Sequence, residues 1–393
     1  MTYGVFQEYF TTSWPLQGTP GGTGVIGTTQ NGVLYLSMPI LFSLFTKRYA
    51  HKRQTAAVCG ALLAGIGFLL SSFSTKVWHL IATQGVLAAL GCALIYSPTT
   101  LSLGEWFNSS NRAVAYGITL SCKNIVGSAC PFLLRYLLDQ RGFRWTMRIW
   151  ALLAAVTSIA AIFMIPTHPS SLISADEAQR PRRIPWGFLR HRTIHIYSVA
   201  IIMQSSGYGI AQTYLNTYAH EVILLSQASA TLMLTLFNLP GIASSSFFGY
   251  LSDNKRLPLS ASTVTAMSAI CSALSAFLFW GLSSRGEVVL LYLFSITFGF
   301  FAGGYSATWG SVLKELEGEA AKNNKAVDSG MLYGLLNGAR GIGYVIGGLA
   351  GLPLLKAGSI GDSFGYGTGY GKLILFTGLS TICGGWQLLW RLF

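Results

Sequence analysis

The chain has 393 residues, of which 51% are hydrophobic and only 10% charged, against roughly 25% charge in soluble domains. That is too little charge to cover a water-facing surface, which excludes an ordinary soluble fold. The net charge of +13 does not argue for nucleic-acid binding either, because the basic residues sit in short connections between apolar runs and not on one continuous face.

In hydrocarbon a backbone must satisfy its own hydrogen bonds, and about 20 apolar residues cross the core, so the expected class is an all-α polytopic membrane protein. Residues 1–10 (MTYGVFQEYF) are amphipathic and aromatic but only half as long as a span. They read as the outer half of a first helix, truncated in this sequence. Eleven further spans are predicted near 25–45, 54–74, 79–100, 113–138, 145–165, 193–216, 228–250, 258–282, 287–310, 328–356 and 371–392. Between the sixth and seventh lies a stretch rich in proline and basic residues, with Pro166, Pro169, Pro181 and Pro185. The expected organisation is a helical half at 1–165, a cytoplasmic linker at 166–192 and a second half at 193–393. No charged n-region with a short apolar stretch and cleavage site is apparent.

Lys and Arg in alternating connections test the orientation, because positive loops stay cytoplasmic. Of the 26, sixteen fall in the set that includes Lys47, Arg48, Arg112, Arg192 and Lys255, and eight in the other set, which includes Arg135, Arg141 and Arg144. The first set is therefore expected in the cytosol, with both termini there if the first helix is complete. Plasma membrane is the expected location. The six cysteines (Cys59, Cys92, Cys122, Cys130, Cys271, Cys383) lie inside apolar runs and read as reduced packing residues. The histidines are scattered without metal-ligand spacing, so no metal, cofactor or enzymatic site is expected.

Two cations, Lys123 and Arg340, fall inside spans, where an ionised side chain costs about 2.5–3.5 kcal/mol on insertion scales and turns toward a bundle interior or a wet cavity. Each follows a Tyr-Gly pair by the same interval: Tyr116 precedes Lys123, and Tyr333 precedes Arg340, by seven residues. The helices concerned hold the same place in their halves, fifth and eleventh, as expected of a transporter built from repeats. A fainter echo joins Tyr96-Ser97 to Tyr305-Ser306. Around Arg340, Tyr333, Asn337 and Tyr344 share one helical face; around Lys123, Tyr116, Thr119 and Gly127 do. The pair reads as an anion site, with Arg340 a bidentate fork and Lys123 a point charge. Simple snorkelling of each cation is the rival reading. Neutral polar stripes complete the candidate cavity: Gln204, Tyr208 and Gln212; Tyr305 and Trp309; Tyr3 and Gln7. Each serves equally well as a helix–helix hydrogen bond.

Several short segments carry a family resemblance: YGVFQEYF at 3–10, Tyr96-Ser97-Pro98, Glu105-Trp106-Phe107, residues 112–117 (RAVAYG), Gly142-Phe143-Arg144 leading to Arg148, and residues 339–343 (ARGIG). On these the chain resembles the major facilitator superfamily, and within it the fungal monocarboxylate-transporter-like branch, over nearly its whole length. The resemblance implies two pseudo-repeated six-helix bundles and alternating access around a midplane site. It also implies a cytoplasmic loop latch, carried here by Gly249, Asp253 and Arg256 with Lys255. The matching loop of the first half, residues 46–53 (TKRYAHKR), has no Asp. Lys123 departs from the branch, which usually has a small residue there. The Asp and Arg pair that animal monocarboxylate carriers hold in the eighth helix is absent from Phe237-Asn238-Leu239-Pro240-Gly241, so their proton linkage is not implied; Glu8 is the candidate proton carrier.

The expected function is secondary transport of a small organic solute, a monocarboxylate or similar anion, by a monomer in the lipid bilayer. Export of an amphipathic secondary metabolite is the first alternative. The second, of another class, is a non-transporting sensor or an inactive truncated paralogue.

Overall fold

A computed structural model describes residues 3–13, 23–46, 49–107, 112–165, 191–253, 259–322 and 329–390. They are helical almost throughout, with no β-strand among them. In chain order they form α1 (Tyr3–Thr12), α2 (Gly24–Leu36 and Met38–Thr46, meeting at Ser37), α3 (Arg53–Ser71) and α4 (Val77–Trp106). The run Arg112–Met164 is divided at Gly142, whose φ of 68° and ψ of 175° are not helical, into α5 (112–141) and α6 (143–164). Then follow α7 (Arg192–Glu221), α8 (Gln227–Asp253), α9 (Ala261–Trp280), α10 (Val288–Lys322), α11 (Ser329–Lys356) and α12 (Gly371–Trp390).

Among the described residues, eight helices are long and apolar enough to cross a membrane, one of them the whole run Val114–Met164. Large apolar side chains such as Ile40, Leu62, Leu152, Phe163 and Leu349 point outward, which suits a surface solvated by lipid tails. Polar groups turn inward instead. The 30-residue α7 is not among the eight, because Gln204, Gln212, Asn216 and several hydroxyl residues dilute its hydropathy, yet every residue from Gln204 to Ala219 is buried.

Among the contacts that tie the segments before and after residues 166–190 together, two are close backbone approaches. Along α2 and α11, small residues let the backbones meet: Gly341 faces the Leu36 amide and Gly338 faces Pro39, the small-residue packing usual between helices in lipid. Along α5 and α8, Gly117 lies against the Ser245 carbonyl. There the Ser121 hydroxyl donates to the Ile242 carbonyl at 2.6 Å, Thr235 to Ser128 at 2.9 Å and Asn238 to Gly127 at 3.2 Å.

Most predicted spans hold to within a few residues, but α10 does not stop near 310. It passes through a 3₁₀ turn at Tyr305–Thr308 and continues as Trp309–Lys322. Hydropathy ends where Lys314 and Glu315 begin, whereas the buried stripe Val312, Leu313, Leu316 and Ala320 continues at helical spacing. The cysteines are all free, but Cys59, Cys122 and Cys383 lie on exposed faces and are not interior packing residues.

Candidate functional site

Arg340 occupies the middle of α11 and is 8% exposed. Its guanidinium carbon stands 4.8 Å from the centre of the Tyr35 ring and 5.7 Å from those of Trp309 and Tyr344. Tyr35 and Tyr344 stack on each other at 5.7 Å and 9°. Three helices thus cage the cation: α2 through Tyr35, the start of the Trp309–Lys322 segment of α10, and α11 itself. Ring faces attract a cation without neutralising it, so the charge is held and not cancelled.

The repeated Tyr-Gly interval becomes a physical contact. Tyr116 and Tyr333 stack face to face, with ring centres 4.8 Å apart and 7° between planes. Tyr96 brings its hydroxyl to 3.5 Å from that of Tyr333, and Trp309 meets Tyr333 edge-on at 5.8 Å. Two turns beyond Tyr116 on the same helix, Lys123 is half-buried. Among the described residues no carboxylate pairs with either cation. A buried and a half-buried cation without a carboxylate partner among the described residues form an anion-receptive arrangement.

The other sequence candidates divide. Tyr208 lies among Phe237, Phe298 and the Arg340 field, so α7 reaches the centre through it. Asn337 is buried, but its amide donates to the Tyr333 carbonyl at 2.8 Å, a bond within its own helix. Tyr305 is buried, and its hydroxyl donates to the Gly384 carbonyl on α12 at 2.8 Å. The stem of Gln204 packs against the same Gly384, so both residues join α12 to its neighbours. Gln7 is buried on α1. Of the loop latch, Gly249 lies within α8, while the side chain of Asp253 and the whole of Arg256 lie outside the described residues.

Glu8 is fully buried and not at a solvent-facing helix end. Its Oε2 accepts from Arg135 Nη1 at 2.8 Å and lies 3.5 Å from Asn216 Nδ2; Arg135 Nε also donates to Asp139 at 3.1 Å. Arg135, counted above with the loop cations, is therefore an interior residue of α5. A second strong pair joins the ends of α2, α3 and α4: Arg53 grips Glu105 with two bonds, at 2.7 and 2.8 Å, and donates to the Phe45 carbonyl at 3.0 Å. Glu105 thus supplies the carboxylate that residues 46–53 lack.

Trp309, one turn after Tyr305, was among the candidate stripes, whereas Tyr35 and Tyr96 are site residues that sequence reasoning left out of its candidate set. Tyr96 had a signal, its echo in the second half. Tyr35 had none, since a lone tyrosine in an apolar run marks no face.

The profile of the Major Facilitator Superfamily matches residues 3–348. The chain is 24% identical to an MFS-type transporter of Gibberella moniliformis, over 88% of this chain and 79% of that protein. It is 22% identical to the MFS-type transporter pynF of Aspergillus niger, over 90% and 76%. It is 26% identical to monocarboxylate transporter 12 of Mus musculus, over 67% of this chain and 60% of the mouse protein. An all-helical, lipid-facing bundle, a charged centre inside it and a match over nearly the whole chain lead to one conclusion: this multi-pass membrane protein belongs to the Major Facilitator Superfamily of transporters.

Proposed function

We propose that the chain is a secondary transporter of a small organic anion, of the monocarboxylate kind, working by alternating access between the parts at 1–165 and 193–393. The observation that carries this reading is Arg340, caged by Tyr35, Trp309 and Tyr344 beside Lys123 and without a carboxylate partner among the described residues. A planar guanidinium takes a carboxylate with two parallel bonds, and the lysine adds a point charge. The name of the mouse relative, monocarboxylate transporter 12, agrees with this class. Glu8 is the proposed proton carrier: its carboxylate is the acceptor that holds Arg135, and a proton there removes that attraction. The protein works as a monomer in the plasma membrane, with the basic connections facing the cytosol.

Uptake of radiolabelled carboxylates into transporter-null cells tests the reading. Losing a charge-assisted bond, about 1.5–3 kcal/mol, raises the KM of Arg340→Gln about 10- to 100-fold, with Arg340→Lys between; unchanged KM in Arg340→Gln overturns the assignment. Acidifying the outside stimulates uptake through Glu8, and Glu8→Gln abolishes the stimulation. The aromatic density around Arg340 favours a second reading, export of an amphipathic metabolite. Efflux from preloaded cells faster than influx at equal concentrations selects it.

A further inference from the structure

We propose that the cationic centre continues into an apolar subsite between α4 and α5, so that the solute is an amphipathic organic acid: its carboxylate at Arg340 and Lys123, its apolar tail in the subsite. The head-group half of this rests on the anion reading above; the tail half does not. A pocket of about 340 Å³ lies there, walled by Tyr96, Leu103, Trp106, Phe107, Thr119 and Ile165. That volume takes about ten water-sized groups and falls within the range of solute pockets.

Two of the walls belong to the cationic centre. Tyr96 meets Tyr333 through its hydroxyl and packs edge-on at 6.3 Å against Tyr35, the ring that faces Arg340. Thr119 stands one turn before Lys123 on the same face of α5. A carboxylate at the cations therefore has an exit for its tail past Tyr96 and Thr119.

Three hydroxyls of the walls, those of Thr119, Thr99 and Ser102, are spent on their own helices. Thr119 donates to the Ala115 carbonyl at 3.0 Å, Thr99 to Ile95 at 3.0 Å and Ser102 to Pro98 at 3.0 Å. With those hydroxyl hydrogens turned to the backbone, none of the three is free to donate to a solute. The pocket offers little to a polar tail and much to a hydrocarbon or aryl one.

Straight-chain acids from acetate to octanoate, and the matching primary alcohols, are titrated against the purified full chain, with binding read from tryptophan fluorescence. Each added methylene tightens binding of the acids about four-fold until the pocket is full. Ser102→Phe and Thr99→Phe, which fill the pocket, flatten that gain. 6-Bromohexanoate quenches emission in the wild-type protein and less in Trp106→Phe. A flat dependence on chain length in the wild-type protein overturns the subsite. So does an equally steep dependence in both filled variants, which marks tails dissolved in the bilayer or detergent, or a pocket already covered by a lipid chain. Alcohols that bind as tightly as their acids overturn the anion reading and leave the subsite standing.

Discussion

A charge buried among helices declares itself in a sequence only when its neighbours are apolar, and its partner declares itself hardly at all. Arg340 and Lys123 were legible because each stands near the middle of a long apolar run. The ion pair of Glu8 with Arg135 was not, since the two stand 127 positions apart. That pair has a measurable consequence. Glu8→Ala leaves a buried guanidinium with only the half-exposed Asp139, and breaking a buried pair this way costs about 3–5 kcal/mol. The double variant Glu8→Leu with Arg135→Met removes both charges and regains most of that loss. Denaturation of the detergent-solubilised variants measures both, and a double variant no more stable than the single one counts against the pair as a stabilising unit.

Among the elements, helix positions followed from composition, while helix approach depended on where glycines meet a neighbour's backbone. A Cβ on Gly341 would lie 2.6 Å from the Leu36 amide nitrogen and 3.0 Å from the Tyr35 carbonyl carbon. Backbone cannot yield as a side chain can, so Gly341→Ala parts α2 from α11 and costs about 1–3 kcal/mol. It also shifts Tyr35 away from Arg340, and uptake falls with stability. Gly318, on the charged extension of α10, has nothing within 4 Å of its Cβ position. Gly318→Ala therefore stabilises by about 0.5–1 kcal/mol. Melting the two variants side by side separates close packing from helix propensity; equal effects of the same sign contradict the argument. That same extension was missed by hydropathy, because a half-buried amphipathic helix is recognised by the spacing of its apolar residues and not by their density.

For the molecule as a whole, the excess of Lys and Arg in one set of connections sets the expected orientation. A protease site inserted at residues 166–190 is cut in inside-out vesicles and protected in right-side-out ones; the reverse pattern inverts the topology. Helical class and the approximate limits of most described spans follow from the sequence alone. They follow because hydrocarbon leaves so few solutions: each span must be a helix, and a cation within one must face inward. Only the tertiary structure decided what surrounds that cation. It stacked Tyr116 on Tyr333, closed Tyr35 and Trp309 over Arg340, and joined Tyr305 to Gly384. Such contacts join residues from helices far apart in the chain, and no periodicity within one helix records which face of another it will meet.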